Sequence, residues 1–218
     1  AIFSWSFMQS FSNPKILLTK KILFSLMILP VIGLAYKIVV FIHGNSPSII
    51  LPTVIDEWMT FNPVWILPYL IYYPMIILPP LFARNHRELS FIFKNYIFTF
   101  AITLFFFVMM VVRMNRPDLS GDDIFTFLVA KIYRIDINPI NNFPSQHAAF
   151  SWTAALSISF IKSILIKNIA IFLAILVSLS TVFIKQHWAV DAIAGLIVAF
   201  LSYGIARLIT GKKITDSL

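Results

Sequence analysis

Residues 164–209 read ILIKNIAIFLAILVSLSTVFIKQHWAVDAIAGLIVAFLSYGIARLI. Two apolar runs lie here, from about Ile164 to Ile184 and from about Trp188 to Ile209, joined by a short polar link that holds Lys185, Gln186 and His187. Each run meets the requirement for a membrane-crossing helix, which is about 20 mostly apolar residues. Four more candidates appear upstream: about Ile22 to Ile42, Pro63 to Phe82, Phe91 to Val112, and a shorter one from His147 to Ile161. Prolines interrupt the first two, which is tolerable where neighbouring helices re-satisfy the freed backbone groups. The expected fold is all-α: a polytopic membrane protein with six transmembrane helices in a bundle, forming one membrane-embedded domain over residues 1–218.

Composition supports that class. The chain is 59% hydrophobic and 12% charged, against about 25% charged in an average soluble domain. With 22 Phe and 6 Gly, disorder and collagen are excluded. The absence of cysteine excludes disulfide frameworks, thiolate catalysis and Cys-based zinc sites.

The net charge of +8 is a topology signal. Six spans put both termini on one side. That side carries Lys15, Lys20, Lys21, Arg84, Arg87, Lys162, Lys167, Arg207, Lys212 and Lys213, against the acids Glu88 and Asp216. By the positive-inside rule this face is cytoplasmic, so residues 1–21 form a cytoplasmic segment and the 113–146 loop faces outward. The basic excess therefore implies no nucleic-acid partner; the partner is the bilayer. The first 21 residues are mixed polar and aromatic, and the apolar run after them is too long for a signal-peptide core. The first span is expected to be a retained anchor of an inner or plasma membrane. The Ile-, Phe- and Lys-rich composition fits an AT-rich bacterial genome.

Ionisable groups at the rim of membrane spans are costly and mark function. They fall in three clusters on the outer side: Arg113 to Asp118, Pro144 to His147, and Ser180 to Asp191. His187 and Asp191 are four apart and share a face if both lie on a helix. The carboxylate could then take the Nδ1 proton of His187 and leave Nε2 free to attack. Ser145 and Gln146 can open a helix whose backbone N–H groups favour an anion, with His147 placed to donate a proton. Arg113, Arg116 and Lys185 supply cations, and the guanidinium fork suits phosphate oxygens. Two histidines, a carboxylate and these cations suit phosphoryl transfer through a phosphohistidine.

Each residue alone has a plainer reading. His147 caps a helix, His187 is an interfacial histidine, and Arg116 precedes a turn at Pro117. Trp188 and the aromatic residues Trp65, Tyr69, Tyr72 and Tyr73 are belt or packing residues. His147, His187 and Asp191 could also ligate zinc or iron, but the nearby Arg and Lys side chains repel a cation. His43 and His86 lie outside the clusters and have no assigned role.

The three clusters together, in order and spacing, resemble the type 2 phosphatidic acid phosphatase superfamily. Its pattern is Lys, six residues, Arg-Pro; then Pro-Ser-Gly-His; then Ser-Arg, five residues, His, three residues, Asp. Arg116-Pro117 matches the end of the first motif. Pro144-Ser145-Gln146-His147 matches the second, with Gln for Gly. Ser180, His187 and Asp191 match the third. The resemblance covers roughly residues 60–210. It implies that His187 accepts the phosphate, that Asp191 orients it, and that His147 protonates the leaving oxygen. Arg116 and Ser145 would hold the phosphate, and no metal cofactor is implied. Two motif cations are missing, at Met109 and Thr181. Arg113 is expected to replace the first if the preceding helix continues, and Lys185 the second if it lies on a helical face.

The expected activity is hydrolysis of a lipid phosphomonoester or pyrophosphate at the outer leaflet. The alternatives are a head-group phosphotransferase similar to sphingomyelin and inositol phosphorylceramide synthases, which the missing cations and the Trp58–Tyr73 segment favour, and an inactive lipid-anion binder or carrier.

Overall fold

Five prolines between Pro63 and Pro80 decide the shape of the second apolar segment, because each removes a backbone donor and crowds the preceding turn. A computed structural model describes residues 14–44 and 46–211. In it this segment is a 3-10 turn at Pro63–Trp65 followed by three short helices. In chain order the α-helices are α1 (Pro14–His43), α2 (Val54–Trp58), α3 (Ile66–Leu70), α4 (Tyr72–Ile77), α5 (Pro79–Phe82), α6 (His86–Met109), α7 (Ile124–Ile135), α8 (Gln146–Ser157), α9 (Ile164–Phe183) and α10 (Ala189–Thr210). The described residues are helical or irregular, with isolated β-bridges in place of strands. Residues 1–13 of the expected cytoplasmic segment, and Lys212, Lys213 and Asp216, lie outside the described residues.

Four helices, α1, α6, α9 and α10, are long and apolar enough to cross a membrane. The other two of the six expected spans are not single long helices. The second segment is divided by its prolines. The fourth, α8, has 12 residues; at 1.5 Å per residue it is about 18 Å long, well short of a hydrocarbon core of about 30 Å.

The short α8 packs against α10, α9 and α6. The residues that pack it are small: Ala148, Ala149, Ser151, Ala154 and Ala155 are all buried. Lipid tails are as apolar as Leu, so helices in a bilayer associate through close backbone approach and interhelical hydrogen bonds. Both occur here. Asn95 Nδ2 donates to Ser157 Oγ at 2.9 Å, and the hydroxyls of Thr99 and Thr153 meet at 2.7 Å, tying α6 to α8. On the outer faces, Leu23, Leu26 and Leu34 of α1 and Phe200 and Leu201 of α10 are exposed.

Gly195 sets the crossing of α8 and α10. A Cβ there would lie 2.5 Å from the Ser145 carbonyl oxygen and 2.9 Å from the Ala149 nitrogen. The Ser145 N–H also donates to the Asp191 carbonyl at 2.9 Å, joining the starts of the two helices. Gly195→Val is therefore expected to destabilise the protein by about 3 kcal/mol through overpacking against backbone that cannot yield. The control is Gly204→Ala on the same helix, where a Cβ meets nothing within 4 Å. Thermal unfolding in detergent should separate the two, with a clear loss for the first and no loss for the second.

After α6 the chain is extended. Val112 bridges Ile49 on one side and Asn141 on the other, both in parallel register. The expected outer loop 113–146 also contains α7, capped by the Asp123 carboxylate, which accepts from the Phe125 and Thr126 N–H groups.

Candidate functional site

His147 lies in the first turn of α8, and His187 lies in the link between α9 and α10. The α8–α10 crossing brings them together, with His147 Nδ1 3.2 Å from His187 Nε2. The extended patch supplies the next partner. His187 Nδ1 donates to the Asn142 carbonyl at 2.9 Å, since a carbonyl can only accept. A neutral His187 therefore holds its Nε2 lone pair toward His147.

Asp191 has a different post from the one its spacing suggests. His187 precedes α10, so the two residues do not share a helical face. Asp191 Oδ2 is 3.7 Å from His187 Nδ1, too long for a hydrogen bond but close enough to favour positive charge on the ring. The same oxygen accepts the Trp188 N–H at 2.9 Å and so caps α10. Asp191 is fully buried, and its Oδ1 has no hydrogen-bond partner.

Arg116 is held rigidly. Its guanidinium donates to both the carbonyl and the carboxylate of Asp136 and, at 2.8 Å, to Gln186 Oε1. It also lies 4.4 Å over the Tyr133 ring. Asp136 in turn accepts from the Tyr36 hydroxyl at 2.5 Å. The Arg116 Nε and the Gln186 Nε2 are buried donors without a partner. Such groups are costly to leave unmade, and two such donors on side chains that are themselves hydrogen-bonded to each other suit a bound anion. Burial pushes the Tyr133 phenol above its ordinary range, with Arg116 opposing.

Ser145 caps α8, its Oγ accepting from the Ala148 N–H at 3.3 Å, and Gln146 follows it. A cavity of about 260 Å³ is lined by both histidines, Gln146, Gln186, Asp136 and Asn142, by Tyr36 of α1, and by Tyr69, Tyr72 and Tyr73.

The two expected replacement cations are not brought here. The helix before Arg113 ends at Met109 and the chain then extends, so Arg113 is not one turn before Arg116. Its side chain donates instead to Ser48 Oγ at 3.1 Å. Helix α9 ends at Phe183, and Lys185 has a positive φ of 52° that takes it off any helical face. Its ammonium donates to the Met59 carbonyl at 2.7 Å and the Asp56 carbonyl at 3.1 Å. Burial lowers its pKa, with Asp56 opposing. Lys185 therefore pins the link to α2, as does Asp56, whose carboxylate accepts the Ala189 N–H at 2.8 Å.

Several residues of the site had no role in the sequence reading. Gln186, Asp136 and Asn142 carry no motif. Tyr69 and Tyr72 are buried, their rings centred 4.8 and 4.6 Å from that of His147, and Tyr69 is hydrogen-bonded to it at 2.8 Å. The run of aromatic residues Trp65, Tyr69, Tyr72 and Tyr73 in one apolar segment was the available signal. Trp188 is likewise buried and donates to the Arg113 carbonyl at 3.0 Å, so it is not a belt residue.

No curated protein matches the chain. A crystal structure of Aquifex aeolicus LpxE is similar in fold, with a TM-score of 0.46 and 14% identity over 78% of this chain and 93% of that one. The family model described as the PAP2 superfamily matches residues 92–214, more than half of the chain and the whole stretch that carries Arg116, His147, His187 and Asp191. The chain belongs to the PAP2 superfamily, the type 2 phosphatidic acid phosphatases that its three motifs resemble.

Proposed function

We propose that this protein is a membrane lipid phosphatase that removes phosphate from a lipid phosphomonoester or pyrophosphate through a phosphohistidine on His187. The observation that carries the reading is the paired geometry of the histidines. His187 Nδ1–H is tied to a carbonyl, and its Nε2 faces His147 Nδ1 at 3.2 Å in the wall of the cavity. A nucleophile and an acid at that separation can bracket one phosphorus centre once the substrate parts them.

In the first step the Nε2 lone pair of His187 forms an N–P bond, and the bond from phosphorus to the lipid oxygen breaks. His147, made an imidazolium by the proton that the bound phosphate monoanion brings, gives its Nδ1 proton to that oxygen, and the lipid alcohol leaves. In the second step a water attacks phosphorus, its proton goes to His147 Nδ1, and the N–P bond breaks. Phosphate leaves and His187 is restored. Asp191, 3.7 Å from His187 Nδ1, stabilises the charge that His187 carries in between. Arg116, Gln186 and the first turn of α8 with Ser145 and Gln146 hold the phosphoryl oxygens. The basic residues at the other end of the spans support an extracytoplasmic site and cytoplasmic termini.

The test is inorganic phosphate released from a panel of lipid phosphates by the purified protein in detergent, with and without a chelator, and with no alcohol added. Release that survives the chelator is the expected result. Consumption of the lipid only when an alcohol acceptor is present would instead make the protein a head-group transferase.

A further inference from the structure

With both imidazoles neutral, the hydrogen bonds of the histidine pair fix one consistent set of ring protons. The Asn142 carbonyl only accepts, so His187 Nδ1 is protonated and neutral His187 has a bare Nε2. That atom accepts from His147 Nδ1–H. Neutral His147 then has a bare Nε2, and its partner is the Tyr69 hydroxyl at 2.8 Å, which must donate. Tyr69 lies in α3, outside the matched 92–214 segment, and is 2% exposed. The rings of Tyr69 and Tyr72 both pack on the imidazole.

We propose that Tyr69 is the positioning residue for His147, its hydroxyl holding Nε2 so that Nδ1 is the atom that delivers the proton to the leaving oxygen. A hydroxyl serves both protonation states. It donates to bare Nε2 in the resting enzyme and accepts from Nε2–H when His147 is an imidazolium. During phosphorylation the Nδ1 proton goes to the leaving oxygen as the N–P bond forms on His187. His147 becomes neutral with its Nε2–H still on the Tyr69 oxygen. Phenylalanine would keep the ring packing and do neither. The inference rests on the phosphatase reading above.

The test is Tyr69→Phe on two substrates that differ in their need for a proton: an alkyl lipid phosphate, and p-nitrophenyl phosphate, whose phenolate leaves without one. On the alkyl substrate kcat is expected to fall about tenfold or more. KM for it should stay within about twofold, and turnover of the aryl phosphate should change as little. Equal losses on both substrates would reduce Tyr69 to packing, and no loss on either would remove it from the reaction. Nitrogen NMR of the resting imidazoles reads the same claim without turnover. His147 should be protonated at Nδ1 and bare at Nε2 in the parent protein, and a mixture of tautomers in Tyr69→Phe. A parent His147 protonated at Nε2 would overturn the proposal. Failure of the phosphatase reading looks different: His187→Ala would still release phosphate, while the ring-proton assignment would stand.

Discussion

His187→Ala is expected to lower phosphate release by about four orders of magnitude or more, the loss that follows removal of a covalent nucleophile. The effect should fall on kcat and not on substrate affinity, because the phosphate holders Arg116, Gln186 and Ser145 all remain. His147 is not positioned to take over. Its Nε2 faces the Tyr69 hydroxyl, and its Nδ1 is the atom that must deliver a proton. Brief exposure of the parent protein to labelled lipid phosphate should leave label on the protein that is lost in acid and kept in base, as a P–N bond behaves. His187→Ala should carry none. Full phosphate release by the alanine variant would end the covalent mechanism on His187, while no release by the parent protein from any lipid phosphate would favour an inactive lipid-anion binder.

Arg116→Ala is the second large effect, expected at about 100-fold or more on kcat/KM, in line with loss of a preorganised donor to a developing anion. Two contributions add. The variant loses a guanidinium whose position is set by Asp136, by Gln186 and by the Tyr133 ring, and which keeps a buried, unpartnered Nε–H. It also leaves the Asp136 carboxylate in the cavity wall without its counter-charge, facing an anionic substrate. Arg116→Lys should restore little, because one ammonium cannot span Asp136, Gln186 and a phosphate as a planar fork does. The double variant Arg116→Ala with Asp136→Asn should be more active than Arg116→Ala alone, since the amide removes the repulsion; the two changes are in direct contact and should not add. Equal activity of the single and double variants would show that Asp136 exerts no charge effect on the substrate.

The membrane class and the family were legible in the chain because they depend on local patterns. Apolar runs near 20 residues and motifs a few residues long do not need the fold to be seen, and 12% charge is too little for a soluble surface. Span counting was less secure. Hydropathy measures apolar length, but the prolines of residues 63–80 divide the second apolar segment into short helices, and α8 stops after 12 residues.

The reading of side-chain partners went wrong where it assumed a helix that ends. The His187–Asp191 pair is kept as an electrostatic contact at 3.7 Å, but Arg113 and Lys185 were each placed by helical spacing, and each lies beyond a helix terminus. There the extended chain after Met109 and the positive φ of Lys185 redirect the side chains. The actual partner of His187 Nδ1 is a main-chain carbonyl, a group every residue carries, so no motif could mark Asn142.

Composition and short-range spacing thus determined the solvent this protein folds in, its superfamily and the two histidines to watch. Only the tertiary structure decided which atoms those histidines present. It did so through contacts between residues distant in sequence: Tyr69 with His147, 78 positions apart, His147 with His187, 40 apart, and Arg116 with Gln186, 70 apart. The physical reason is that a ring proton goes to whichever acceptor packing puts within about 3 Å, and that choice belongs to the crossing of α8 and α10 at Gly195 rather than to any local run of sequence.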